Sequence, residues 1–205
     1  MYCKYDEPDM IRQVLKDIAG GDVENLRFYL ADGLDPDQRG PGGLPLLVHA
    51  VKEGKAESVA VLLAMGADPN ITVAMTNHTP LHYAAREKDG GMIGLLARGG
   101  AALEAVDAYG WTPLHMAADH GAVTAVRALV AAGANVLARN RDGVTPRDRA
   151  LSHFKRTHED RHFVCGEQLR EAERLLDAEA LKREKAERDI ANLKAHNPKR
   201  FRLRF

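Results

Sequence analysis

Apolar residues in this chain come in short helical bursts separated by glycine-rich breaks. Ile11, Val14, Leu15 and Ile18 fall at helical spacing, and Asp9 can cap a helix beginning at Met10. Gly20-Gly21 ends that helix, and Asp22 opens a second one carrying Val23, Leu26, Tyr29 and Leu30. The clearest burst follows Thr112-Pro113, where Leu114, Ala117 and Ala118 share one face. A threonine hydroxyl there can accept a first-turn N–H, and proline suits the first helical position because no N–H is needed. Gly133 suits the left-handed residue that ends a following helix. The pattern predicts an all-α chain built of helix pairs.

The bursts repeat at a fixed beat. Gly110-Trp111-Thr112-Pro113-Leu114-His115-Met116-Ala117-Ala118 returns upstream as Thr79-Pro80-Leu81-His82-Tyr83-Ala84-Ala85. It returns downstream, decaying, as Thr145-Pro146-Arg147-Asp148-Arg149-Ala150. Thr79 to Thr112 and Thr112 to Thr145 are both 33 residues. Gly33, Gly66, Gly100 and Gly133, each followed by a small or apolar residue, keep the same beat. One such unit cannot bury its own apolar face, so stacking must supply the core. Small alanines let neighbouring helices approach closely, and His115 is placed to bond backbone between units.

The Thr-Pro-Leu-His-x-Ala signature at this period resembles the ankyrin repeat, over most of residues 10–151. The resemblance implies an all-α ankyrin-repeat solenoid over 9–151, with helix-turn-helix units and β-hairpin-like loops. The units are expected at about 9–38, 39–72, 73–106, 107–139 and, degenerate, 140–176. In the second unit Pro45 stands where Thr79 and Thr112 stand later. Pro45 to Thr79 is 34 residues while Gly33 to Gly66 is 33, so one residue is inserted between Gly66 and Thr79. The loop that takes it, Pro69 to His78, carries Ile71, Val73 and Met75, apolar for a surface segment. In the third unit Gly90, Gly91 and Gly94 predict a second helix that starts late or is mobile, since each glycine costs about 0.5–1 kcal/mol against alanine.

The fifth unit breaks the pattern. Arg147, Asp148 and Arg149 replace apolar positions, as suits a last repeat with one wet face. A polar connection is expected over 152–166, then a helix over 167–195 whose front half caps the solenoid. Leu169, Ala172, Leu175 and Leu176 make its apolar stripe, and Lys182 to Asp189 is almost wholly charged. Pro198 ends it, before a basic tail over 196–205 that alternates charged and apolar residues.

Composition narrows the function classes. The chain has 205 residues, 45% of them apolar, and no net charge. The charge is uneven: residues 1–40 hold five Lys/Arg against nine Asp/Glu, and residues 139–205 hold eighteen against twelve. A basic terminal element points to an anionic partner. Cys3 and Cys165 are too few for a disulfide framework, so a reducing compartment is expected. The first residues lack the apolar segment of a signal peptide, and no run reaches transmembrane length. The expected location is cytoplasmic. The abundance of Ala, Arg and Gly fits a GC-rich bacterial or phage genome, which would also allow an exported or host-delivered effector or a toxin-neutralising protein.

The resemblance places partner contacts on hairpin tips and on variable positions of the first helices. Carried over by register, the candidates are Met75, His78, Arg86, Tyr109, Trp111, His120 and Arg141. Aromatic and arginine side chains dominate binding hot spots. The alternative for Trp111 is packing on its own hairpin. In the tail, Arg200, Phe201, Arg202, Arg204 and Phe205 could contact nucleic acid, an anionic surface or a sheet edge. His158, His162 and Cys165 have ligand-like spacing for a metal, opposed by the neighbouring Lys155, Arg156 and Arg161. No metal and no cofactor is expected. The chain has no phosphate-binding Gly loop, nucleophile elbow or His-Glu-x-x-His, and His82 and His115 share a repeat register, so no catalysis is expected. The expected function is non-catalytic: a protein–protein interaction module acting as adaptor, inhibitor or regulator.

Overall fold

The computed structural model describes residues 8–157 and 159–196. They form ten helices: α1 Pro8–Gly20, α2 Val23–Ala31, α3 Leu46–Lys52, α4 Ala56–Ala64, α5 Pro80–Arg86, α6 Gly90–Arg98, α7 Pro113–Asp119, α8 Val123–Ala131, α9 Pro146–Thr157 and α10 Asp160–His196. Among the described residues the hairpin-like loops contain one isolated β-bridge, Arg39 to Pro45, and no strand. Two compact units result, one ending at Leu169 and one beginning at Arg170.

The first unit is the solenoid. Odd-numbered helices from α1 to α9 stack in one layer, and α2, α4, α6 and α8 stack in a second. Leu46, Leu81 and Leu114 of the first layer and Leu62, Ile93, Val126 and Leu129 of the second are buried, as are Ala84, Ala85, Ala117 and Ala118. Each large aliphatic side chain so covered contributes about 1.5–3 kcal/mol. The helix ends follow the glycine beat. Gly33, Gly66, Gly100 and Gly133 have φ of 101°, 95°, 91° and 96°. At each, the next residue's N–H reaches back to a carbonyl of the helix just ended, as Ala134 does to Leu129 at 3.0 Å.

Two ladders tie the repeats together. His82 and His115 form the first. Each Nδ1 takes the N–H of its own Thr79 or Thr112 at 3.2 Å, so Nε2 carries the proton and donates to Trp111 O or Val144 O at 2.9 Å. Asp37, Asn70 and Glu104 form the second. Their side chains accept from the N–H of Asp68, Ala102 and Asn135 in the next repeat at 2.8, 2.7 and 2.7 Å.

Several expectations change. Helix α1 begins at Pro8, ahead of Asp9, whose carboxylate pairs with Arg12 at 2.9 Å. Helix α6 does not start late: it begins at Gly90, in register with α4 and α8, because Asp89 accepts the Met92 N–H at 3.0 Å. Gly90 also has a packing reason, since a Cβ there would meet the Thr124 carbonyl oxygen of α8 at 2.9 Å. The inserted residue sits in the third hairpin. Gly40 N to Leu44 O, Asp107 N to Trp111 O and Asn140 N to Val144 O close turns of equal length, while Val73 N to His78 O spans one residue more. Residues 152–166 are not a polar connection. Helix α9 runs to Thr157, and α10 starts at Asp160 rather than at Glu167. Lys and Arg are good helix formers, so polar composition alone does not mark a loop. Ring contacts hold the two helices at that point: His153 stacks on His162 at 4.6 Å, and Phe154 meets Phe163 at 5.4 Å.

The second unit is the helical continuation from Arg170. Its charges pair along the helix, Arg188 with Glu184 at 2.7 Å and Arg174 with Glu171 at 3.6 Å. Among the described residues no helix is long and apolar enough to cross a membrane.

Candidate functional site

The seven candidate contact residues lie on the hairpin tips and first helices of repeats three to five, and short contacts knit that surface together. The fourth hairpin is held from inside. Buried Asp107 accepts the N–H groups of Tyr109 and Trp111, both at 2.8 Å, through one carboxylate oxygen. Its other oxygen lies 3.3 Å from His78 Nε2. His78 in turn stacks on His82 at 5.6 Å and meets the Tyr83 ring edge-on, also at 5.6 Å. Arg86 lies over the Tyr83 ring at 5.0 Å and pairs with Glu87 at 3.0 Å. Neighbouring hairpins touch through Ala108 N to Thr76 O at 2.9 Å and Arg141 N to Tyr109 O at 3.4 Å.

On this support stand large apolar side chains. Met75 is 96% exposed and Tyr109 70%. Met75 has φ of 68° and Asn77 of 56°, a left-handed pair that accommodates the longer third hairpin. Gly110 has φ of 77°, and a Cβ there would lie 2.9 Å from Arg141 Cγ, so the Arg141 stem packs against the Gly110 backbone. Trp111 is half-buried. It packs against the next repeat rather than only on its own hairpin: the Arg149 guanidinium lies over its ring at 4.6 Å.

Asp119 anchors that arrangement. Its Oδ1 accepts from Arg149 Nε at 2.6 Å and lies 3.4 Å from His153 Nε2. Its Oδ2 lies 3.7 Å from His120 Nδ1, and its carbonyl oxygen 2.9 Å from His162 Nε2. His120 Nδ1 also donates to Met116 O at 3.0 Å, which leaves Nε2 as the outward atom. Burial lowers the His153 pKa, Asp119 opposing that shift while His162, Arg156 and Arg149 add to it. Burial likewise lowers His82 to about 4 and lowers His115 and His49. All four are held as neutral imidazoles at neutral pH.

Tyr83, Asp107 and Arg149 do not figure among the sequence candidates. Arg149 stands at the register of Tyr83 and Met116, first-helix positions that face neighbours in the stack. A charged residue there signalled a partner across the stack as well as a wet face. The tail residues Arg200, Phe201, Arg202, Arg204 and Phe205 lie outside the described residues, as does His158. Of the other two ligand-spaced residues, His162 spends Nε2 on Asp119. Cys165 is buried, with its thiol pushed up to about 11 by desolvation. No group of three His, Cys, Asp or Glu side chains is placed to hold a metal among the described residues.

Residues 47–140 match the family model for ankyrin repeats (3 copies). No curated protein matches the chain. Residues 47–140, from within α3 to beyond α8, are therefore ankyrin repeats, and the paired-helix stacking continues on the N-terminal side in α1 and α2, which are followed by Gly33.

Proposed function

We propose that this chain is a non-catalytic protein–protein interaction module, as ankyrin repeats generally are, and that it captures a protein partner on the hairpin tips and first helices of repeats three to five. The observation that carries this is the support under Met75 and Tyr109. Two large apolar side chains are largely in water, yet they stand on hairpins joined by Ala108 N to Thr76 O and braced by Asp107. Binding there releases apolar surface from water at little ordering cost. Met75 in addition holds a backbone conformation that costs a non-glycine residue about 1 kcal/mol or more. No packing among the described residues rewards that, because its side chain is exposed.

The test is affinity capture with the purified full chain against lysate of its own source. The comparison forms are a Met75→Ala, Tyr109→Ala double variant, Trp111→Ala, and a chain lacking 196–205. A protein retained by wild type and by the truncated chain, and lost with the double variant, supports the surface. Loss with the truncation alone moves binding to the C-terminus, and salt-sensitive retention of nucleic acid alone refutes the proposal.

A further inference from the structure

The proposed surface also carries a charged device. We propose that Arg149, held over Trp111 by Asp119, is a carboxylate-recognition element and that the partner docks an acidic peptide segment there. This inference rests on the protein-binding reading of the same surface.

The geometry is that of a guanidinium fixed before any ligand arrives. Nε is spent on Asp119 at 2.6 Å, and the plane lies over the indole at 4.6 Å. The side chain is 34% exposed, and Nη1 and Nη2 make no hydrogen bond among the described residues. An arginine anchored through Nε presents its two Nη groups as a fork that matches a carboxylate in two parallel bonds. Anchoring removes much of the rotamer entropy that an unrestrained arginine loses on binding. Trp111 gives the bound segment an apolar platform beside the charge.

The surroundings favour an anion. Asp119, the carboxylate beside the fork, is already paired with Arg149 Nε at 2.6 Å, so it stands within the cluster as the arginine's anchor. Arg141, from the same repeat as Arg149, packs its stem close to Gly110 of the same aromatic hairpin. Asp148, the nearest acidic residue in α9, is engaged at the helix start, accepting from Thr145 Oγ1 at 2.8 Å. Asp142 is the one exposed carboxylate on the adjoining tip.

The experiment selects displayed random dodecapeptides on the immobilised full chain at low salt. Affinities are then measured by anisotropy of labelled peptides. Peptides whose binding falls with Trp111→Ala and Tyr109→Ala are expected to be enriched in Asp and Glu. Changing the key Glu of such a peptide to Gln should weaken it about ten- to a hundredfold on wild type. The same swap should matter little on Arg149→Gln or Arg149→Lys, the second of which keeps the charge but not the fork. Helical circular dichroism checks that the variants fold. The peptide swap needs no protein variant, so the inference stays testable if Arg149→Gln unfolds. Peptides that depend on Trp111 and Tyr109 but show no acidic enrichment, or ignore Arg149, overturn the carboxylate inference and leave the surface standing. If no selected peptide depends on Trp111 or Tyr109, the surface reading fails and this one with it. Much tighter binding of a phosphoserine peptide than of its Glu counterpart would reassign the fork to phosphate and overturn the proposal.

Discussion

His82 reaches out of its own repeat to the backbone of Trp111, with Nε2 2.9 Å from that carbonyl oxygen. One ring therefore closes the start of α5 through Nδ1 and fastens the aromatic hairpin of the next repeat through Nε2. The strength of the fold and the position of the proposed contact surface pass through the same imidazole.

Removing that ring should be costly. His82→Ala leaves the Trp111 carbonyl and the Thr79 N–H without their buried partners, at about 1–3 kcal/mol each, together with a cavity. We expect about 3 kcal/mol lost in urea denaturation, and a similar loss for His115→Ala, which breaks the matching bond to Val144 O. A loss below about 1 kcal/mol would show that the ladder is dispensable.

Acid should loosen the solenoid through the same groups. The unfolded chain protonates these imidazoles near their ordinary 6.5, whereas burial holds His82 at about 4 and also lowers His115 and His49. Between those values the unfolded state binds more protons, so stability is full above about 6.5 and falls as the pH drops toward 4. Each such proton contributes a slope of about 1.4 kcal/mol per pH unit, which gives about 3 kcal/mol for His82 across its window. Urea midpoints measured from pH 7 to pH 4 should fall accordingly. His82→Gln, which cannot titrate, should flatten part of the curve.

The sequence showed the stack and hid its cross-links. Thr79, Thr112 and the glycine beat announce themselves because each does the same local job at every turn. The Asp37, Asn70, Glu104 ladder is harder to see, because three different side chains perform one role and the intervals between them are 33 and 34 residues. Arg149 reads as a wet position until Trp111 and Asp119 are known to lie beside it. Residues 152–166 read as a connection because polarity was taken for irregularity, whereas the helix contacts there are between rings spaced across the break.

The glycines of α6 look alike in sequence and differ in role. At Gly90 a Cβ would press on the Thr124 carbonyl at 2.9 Å, and backbone cannot swing aside. Gly90→Ala should therefore lose about 1–3 kcal/mol despite the better helix propensity. At Gly94 the nearest atom is Arg98 Nη1 at 3.4 Å, the far end of a flexible side chain. Gly94→Ala should instead gain about 0.5–1 kcal/mol. Paired denaturation curves check both, and equal signs would mean that the α6–α8 approach sets neither.

Cys165 reports on whether the start of α10 opens. Its thiol is buried, desolvation raises it to about 11, and the next residue, Gly166, lies close against Leu151, whose Cδ2 would be 3.0 Å from a Cβ. Thiolate is the reacting species, so at pH 8 a group titrating near 11 is ionised about one part in a thousand, even before access is counted. In a Cys3→Ser background, a disulfide reagent such as Ellman's should leave Cys165 almost untouched under native conditions and label it fully in denaturant. The native rate should rise with urea well below the global midpoint only if the first turns of α10 come away from α9 by themselves. Labelling as fast as a small-molecule thiol in the native state would mean that Cys165 is not held in the interior, and that the ring contacts of His153 with His162 and of Phe154 with Phe163 do not keep the two helices together.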